Sequence, residues 1–306
     1  MSLRYLQLNT LKMKTLVIDG NNLIHRTFHT AKQQSKRSQT HTPEQVRNFH
    51  ILFTLNAVNS YVKQFVPSKT IIVWDEKKEY KENERKKVFE GYKGNRSKDL
   101  APHENNEAIK SILLSMGINS IFPRQLEADD IVAHICREHE GKKVIVSVDR
   151  DFLQLISPEC TLYDPIRKKF FEEGNFEEET GFKNVEEWYT AKCLFGDSSD
   201  NVPGVPGFGK VTVKKYLKDP GFILSEQEHK IFQRNADIFC LDRYQQLPEE
   251  RQYYKDQLSK SVKPDYKAFL EYCEEYSFKR ILDNKEQWYS IFFMKSLYNK
   301  LDDLFA

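Results

Sequence analysis

Nine acidic residues in this chain have the types and spacing for metal-dependent chemistry. Asp19, Asp75 and Asp149 each follow a short apolar run, in LVIDG, IIVWDE and VSVDRD. Asp151 lies two residues past Asp149, so in an extended chain its side chain points the same way. Glu127, Asp129 and Asp130 sit in EADD, where Glu127 and Asp130 are three apart and share a helix face. Asp197 and Asp200 repeat that spacing in GDSSDNVPGVPGFGK. Each alone is ordinary, because acids favour helix N-termini and an aspartate after a strand serves as a cap or turn former. Carboxylates that converge repel one another and need cations. Hard oxygens, with no nearby His/Cys set of zinc type, suit Mg²⁺ or Mn²⁺. So many acids suit two ions about 4 Å apart, an arrangement that cleaves phosphodiesters. His25 and His29, spaced i, i+4, have no adjacent acidic ligand and read as ordinary helix residues.

Two basic segments accompany the acids. Residues 76–98 hold nine Lys/Arg against five Glu and little apolar surface. They read as a solvated helix or as a phosphate grip leaving directly from Asp75, mobile until substrate arrives. In that grip Tyr92 would stack on a base, and Lys93 and Arg96 would hold the scissile phosphate. Residues 205–218 hold four lysines and no acid. Gly207 and Gly209 permit close backbone approach, and a helix is expected from Lys210, whose N-terminus suits phosphate.

The elements that must position these groups are legible in periodicity. Runs at 15–18, 70–74 and 143–148 are β-branched and non-alternating, as parallel strands covered on both faces are. Apolar spacing predicts helices over 44–65, 104–116 and 127–139. Strands alternating with helices imply an α/β domain over 13–190, and parallel sheets collect ligands at the carboxyl ends of their strands. Residues 191–306 read as helical, a second lobe or extension.

Bulk properties narrow the class. The chain has 306 residues, 30% charged, with a formal charge of +2, so local rather than overall charge must carry any nucleic-acid argument. No apolar run approaches the roughly 20 residues of a membrane helix. Residues 1–12 lack the pattern of a secretory signal. Five scattered cysteines without CxxC spacing fit a reduced, cytoplasmic compartment.

Taken together, VIDGNN, WDE, YKGNR, EADD, SVDRDF and GDSSDNVPGVPGFGK resemble the flap endonuclease / 5′-3′ exonuclease superfamily, its stand-alone phage ribonuclease H branch above all. The resemblance spans about residues 13–245, including FQRNADIFCLDR. It implies a PIN-like parallel-sheet core, an arch or gateway at about 76–110, and a helix–hairpin–helix (H3TH) duplex-binding motif at about 196–218, often with a bound K⁺. It implies a first metal group of Asp19, Asp75, Glu127, Asp129, Asp130 and Asp149, and a second of Asp151, Asp197 and Asp200, with Asp149 near both. Tyr92, Lys93 and Arg96 match arch residues facing the scissile phosphate. Gly204, Gly207, Gly209 and Lys210 match the duplex loop, with Lys214 and Lys215 beside it. A short charged segment stands where the family has a second arch helix.

The function so implied is a monomeric, Mg²⁺-dependent 5′ nuclease that removes RNA primers and 5′ flaps during replication. Its substrates would be branched DNA and RNA–DNA hybrid. A PIN-type single-stranded ribonuclease and a non-catalytic branched-DNA binding module are the alternatives. The tail SLYNKLDDLFA resembles a peptide that grips a sliding clamp, and equally a last packing helix; a single-strand-binding protein is a further expected partner.

Overall fold

The computed structural model describes residues 14–37, 42–75, 84–95 and 101–294. A six-stranded sheet runs in the order β3-β2-β1-β4-β5-β6. Its strands are β1 (Lys14–Asp19), β2 (Lys69–Val73), β3 (Asn119–Ile121), β4 (Lys142–Val146), β5 (Cys160–Asp164) and β6 (Lys169–Phe171). All neighbours are parallel except β5 and β6. The three strands expected from periodicity, β1, β2 and β4, are adjacent at the centre. The expected helices are Pro43–Phe65, Asn106–Ser115 and Ala128–Glu138.

Residues alternate between two buried faces along each central strand. Leu16 and Ile18 join one apolar cluster with Ile72 and Val146. Val17 joins the other with Ile71, Val73 and Ile145. This two-sided burial is why the strands read as continuous apolar runs. Gly20 is required where β1 passes into helix Gly20–Arg37, because a Cβ there would lie 2.7 Å from the Trp74 ring and 2.8 Å from the Val73 carbonyl.

The region after residue 190 is mostly helical, as expected, and its described helices after residue 240 pack into the two clusters of the sheet. Phe269, Cys273, Trp288 and Phe292 pack into the first cluster, and Leu241, Tyr254 and Leu258 into the second. The helices after residue 240 therefore clad both faces of the sheet. A small separate cluster of Ala191, Leu194, Val205, Phe208 and Val213 supports the glycine-rich segment.

Candidate active site

Because β2, β1 and β4 are neighbours, Asp75, Asp19 and Asp149 emerge side by side at one sheet edge. They line a cleft of about 300 Å³ together with Asp129, Asp151, Asp197 and Asp200. Seven of the nine predicted acids are thus brought together. Among the described residues no three of them close into a ready-made metal shell; they line a shared wall.

Local geometry sets each carboxylate. Asp19 accepts from the Asn22 amide at 3.0 Å and from Ser147 Oγ at 2.6 Å. Ser147 Oγ in turn accepts from the Asp149 amide at 3.0 Å. Asp149 caps the 3-10 turn Arg150–Leu155 by accepting from the Asp151 amide at 2.8 Å. Asp197 and Asp200 lie on a hairpin whose strands are β7 (Gly196–Asp197) and β8 (Val202–Pro203). Asp197 accepts from the Ser199 amide and hydroxyl at 2.8 and 2.6 Å. Glycine is required at Gly204, whose Cβ would lie 2.2 Å from the Phe195 carbonyl oxygen.

Desolvation dominates the electrostatics. It raises the Asp19 pKa to about 6, reinforced by Asp149 and Asp75 against the hydrogen bonds from Asn22 and Ser147. Burial, then the Asp149 charge, pushes Asp129 well above the usual carboxylate range. Burial also raises Asp151 to about 6, despite its contact with the Lys192 ammonium. Asp197 goes the other way: burial opposes ionisation, but Ser199 and Lys192 outweigh it and hold the carboxyl low. Lys192 spans Asp151 and Asp197, 3.0 Å from the latter, and its own pKa is raised by the two acids against burial.

Two predicted ligands stay out of the cleft wall. Asp130 is fully buried and bound in a fork by Arg85, at 2.7 and 2.8 Å. Glu127 accepts from Arg85 at 3.1 Å, and from Tyr92 Oη and Lys93 Nζ at 3.0 Å each. The two do share a helix face, as their spacing predicts, but that face meets Arg85. A capping box fixes it, with Asp130 accepting from the Glu127 amide at 3.1 Å. Asp129 is the acid of EADD that reaches the cleft, beside Ala128.

The basic segment also differs from expectation. Tyr92 is buried at 3% exposure, its hydroxyl on Glu127, so its ring has no face for a base. Residues 91–95 are hydrogen-bonded to the hairpin that carries Asp197 and Asp200. The Lys93 amide donates to the Asp200 carbonyl at 2.8 Å, Asn95 Nδ2 to the Ser198 carbonyl at 3.0 Å, and Asn201 Nδ2 to the Gly91 carbonyl at 2.8 Å. Lys93, at φ 55°, contributes to the cleft lining. Arg96 and residues 76–83 lie outside the described residues.

On the glycine-rich segment, Gly207 (φ 81°) and Gly209 face open space, and the helix Lys210–Lys218 starts directly after, with Lys210, Lys214 and Lys215 exposed. Gly204 packs against backbone instead and offers no open face. His25, read as an ordinary helix residue, lines the cleft and pairs with His103, Nε2 to Nε2 at 3.2 Å. Sequence reasoning passed over Arg85, Ser147 and Lys192. Lys192 had one signal: it lies five residues before Asp197, on the helix Val185–Phe195 that feeds the hairpin.

The family model for the 5′-3′ exonuclease N-terminal, resolvase-like domain matches residues 14–181, more than half of the chain. This chain belongs to the 5′-3′ exonuclease family. Its relatives include flap endonuclease Xni of Colwellia psychrerythraea, 28% identical over 67% of this chain and 74% of Xni. A 5′-3′ exonuclease of Halalkalibacterium halodurans is 29% identical over 68% and 70%. DNA polymerase I of Mycobacterium leprae is 30% identical over 69% of this chain, but over only 23% of the polymerase. Among solved structures, the bacteriophage T5 flap endonuclease, in complex with DNA and metal ions, superposes with a TM-score of 0.62. It is 18% identical, over 80% of this chain and 98% of its own. The chain is accordingly a 5′ nuclease of the PIN-like fold. No helix among its described residues is long and apolar enough to cross a membrane.

Proposed function

We propose that this 5′ nuclease is a divalent-metal-dependent, structure-specific phosphodiesterase that removes RNA primers and 5′ flaps in DNA replication. One observation carries the reading: seven aspartates from five chain segments line one cleft. The donor set fits Mg²⁺, with Mn²⁺ as a substitute, because every candidate donor is a carboxylate oxygen. Asp19, Asp75, Asp129 and Asp149 would hold one ion, and Asp151, Asp197 and Asp200 the other. When bound, such ions acidify water and offset charge on the attacking and leaving oxygens.

The chain's own groups do the rest. Ser147 and the Asn22 amide hold Asp19 in one orientation. Glu127 and Asp130 act one layer back, through Arg85, Tyr92 and Lys93. Lys93 presents the cleft with a cation for the scissile phosphate, and Arg96 would add a second. The loop at Gly207 and Gly209 and the helix start at Lys210 hold duplex phosphates through amides and ammonium groups, with K⁺ as a further ion at that loop. Residues 13–190 then form the nuclease core and 196–218 the duplex clamp. We further propose a cytoplasmic monomer that meets a sliding clamp through residues 297–306, which lie outside the described residues, and a single-strand-binding protein.

The open faces of Gly207 and Gly209 before the exposed Lys210 favour a duplex substrate over the single strand of a PIN-type ribonuclease. A 5′-labelled flap and an RNA–DNA hybrid, with Mg²⁺ or EDTA, test the reading, with wild type beside Asp149→Asn. Wild type cuts both substrates with Mg²⁺ only, and the variant binds without cutting. Preference for unpaired RNA would favour the ribonuclease, and binding without any cleavage would leave only a binding module.

A further inference from the structure

We propose that a groove remote from the acid cleft docks an extended acidic peptide with apolar side chains, presented by a partner protein. The groove, about 670 Å³, lies at the amino ends of β2 and β3. The acid cleft lies at the carboxyl ends, about 17 Å away along a five-residue strand. A peptide in the groove therefore leaves the cleft open to substrate.

Three features select the occupant. Lys69, Lys260 and Lys263 line the groove, and no Asp or Glu does. Among the described residues none of the three forms a salt bridge; Lys69 donates to the Leu258 carbonyl and Lys260 to Gln257 Oε1. Lys69 is half-buried, where an ammonium without a counter-charge is costly and an incoming carboxylate is favoured. The floor is apolar: Val62, Met116, Ile118 and Phe292 are each at most 9% exposed. The third feature is the wall. Ser261, Val262 and Lys263 form a non-helical stretch whose amides donate to no backbone carbonyl among the described residues. Unpaired amides in a groove suit the main chain of an added extended segment, with alternate side chains directed inward. Such a peptide would set its carboxylates on the lysines and its Leu or Phe side chains on the floor. A phosphate backbone would meet the same lysines but leave the aliphatic floor unused.

The probe is a fluorescein-labelled hexapeptide alternating Asp with Leu or Phe, titrated by anisotropy against the full chain. Saturable binding is expected, weakened at least about tenfold by Lys260→Glu with Lys263→Glu, and by raised salt. Flap cleavage without peptide is expected to be unchanged in that variant, since both residues are remote from the cleft. The same peptide with Lys in place of Asp is expected not to bind. No binding of the acidic probe, or equal binding of the basic one, overturns the proposal. So does loss of duplex affinity in the variant with peptide binding intact, which assigns the lysines to nucleic acid. Carbodiimide cross-links from Lys260 or Lys263 to residues 295–306 of the same chain would assign the groove to its own tail. Dimerisation of wild type lost in the variant would assign it to a second copy.

Discussion

Arg85 and Lys192 each bridge two carboxylates, and the two bridges differ in how far water reaches them. Arg85 is 3% exposed, its partners Asp130 and Glu127 1% and 10%. It also donates to the Ile238 and Cys240 carbonyls, at 2.7 and 3.1 Å. Lys192 is 10% exposed, but its partners Asp151 and Asp197 are 18% and 23% exposed and line the cleft. Its ammonium also lies 4.7 Å from the Phe239 ring centre. A planar fork with its donors occupied by fixed acceptors makes a permanent strut. A point charge on a flexible stem suits an exchangeable counter-ion, which on the proposed function a divalent cation would displace. On the proposed function, the pair answered by Arg85 is structural and the pair answered by Lys192 holds metal.

Breaking the strut should have the largest effect. Arg85→Ala strands two buried acids and is expected to cost about 3–5 kcal/mol of stability, read from urea unfolding. Arg85→Met with Asp130→Leu should recover part of it. A loss under about 1 kcal/mol would erase the distinction between the two bridges. Next, Lys192→Met should leave Asp151 and Asp197 unanswered. Melting temperature should fall without divalent ions, and its rise with added Mg²⁺ should be steeper than in wild type. Equal Mg²⁺ responses would mean that Lys192 does not compete for the site.

The pH dependence sharpens the same contrast. Asp19 and Asp151 have folded pKa values of about 6, above the unfolded value near 3.8. The fold binds their protons more tightly than the unfolded chain does, so their contribution to stability is present at low pH and is lost as pH rises through about 6. Cations that take the ionised carboxylates must displace those protons. The Mg²⁺-induced rise in melting temperature should therefore be full at pH 7.5 and shrink below about 6. His50 runs oppositely: burial lowers its pKa to about 4, so stability falls with acid between about 6.5 and 4. A Mg²⁺ effect unchanged down to pH 5 would contradict the assignment of Asp19 and Asp151 as ligands. The smallest effect concerns the exposed helix: replacing Lys210, Lys214 and Lys215 should weaken duplex binding across sequences and flatten its salt dependence.

What could be read beforehand depended on whether a residue's partners were near in sequence. β1, β2 and β4 are locally apolar and buried on both faces, so their runs and terminal aspartates stood out. β3 and β6 are three-residue edge strands, and β5, as long as β2 and β4, mixes Cys, Thr, Tyr and Asp with one Leu, so they left no such mark. The Asp197–Asp200 hairpin was legible because its glycines and prolines are turn-forming. The failures all required long-range pairing. Arg85 sits in a charged run that reads as solvated until Asp130, Ile238 and Cys240 surround it. Tyr92 reads as a stacking ring until Glu127 takes its hydroxyl. Spacing alone gave Glu127 and Asp130 a common face, but only the fold decides what that face meets.

Three hydrogen bonds join residues 91–95 to residues 198–201, and two of the three are made by backbone carbonyls of the hairpin. A shift of either stretch alone would break these three bonds. If the proposed substrate strand runs across residues 91–95, pulling on it would act on the hairpin that carries Asp197 and Asp200. On the proposed function, tension on a bound strand would reach the hairpin of Asp197 and Asp200 through these three hydrogen bonds.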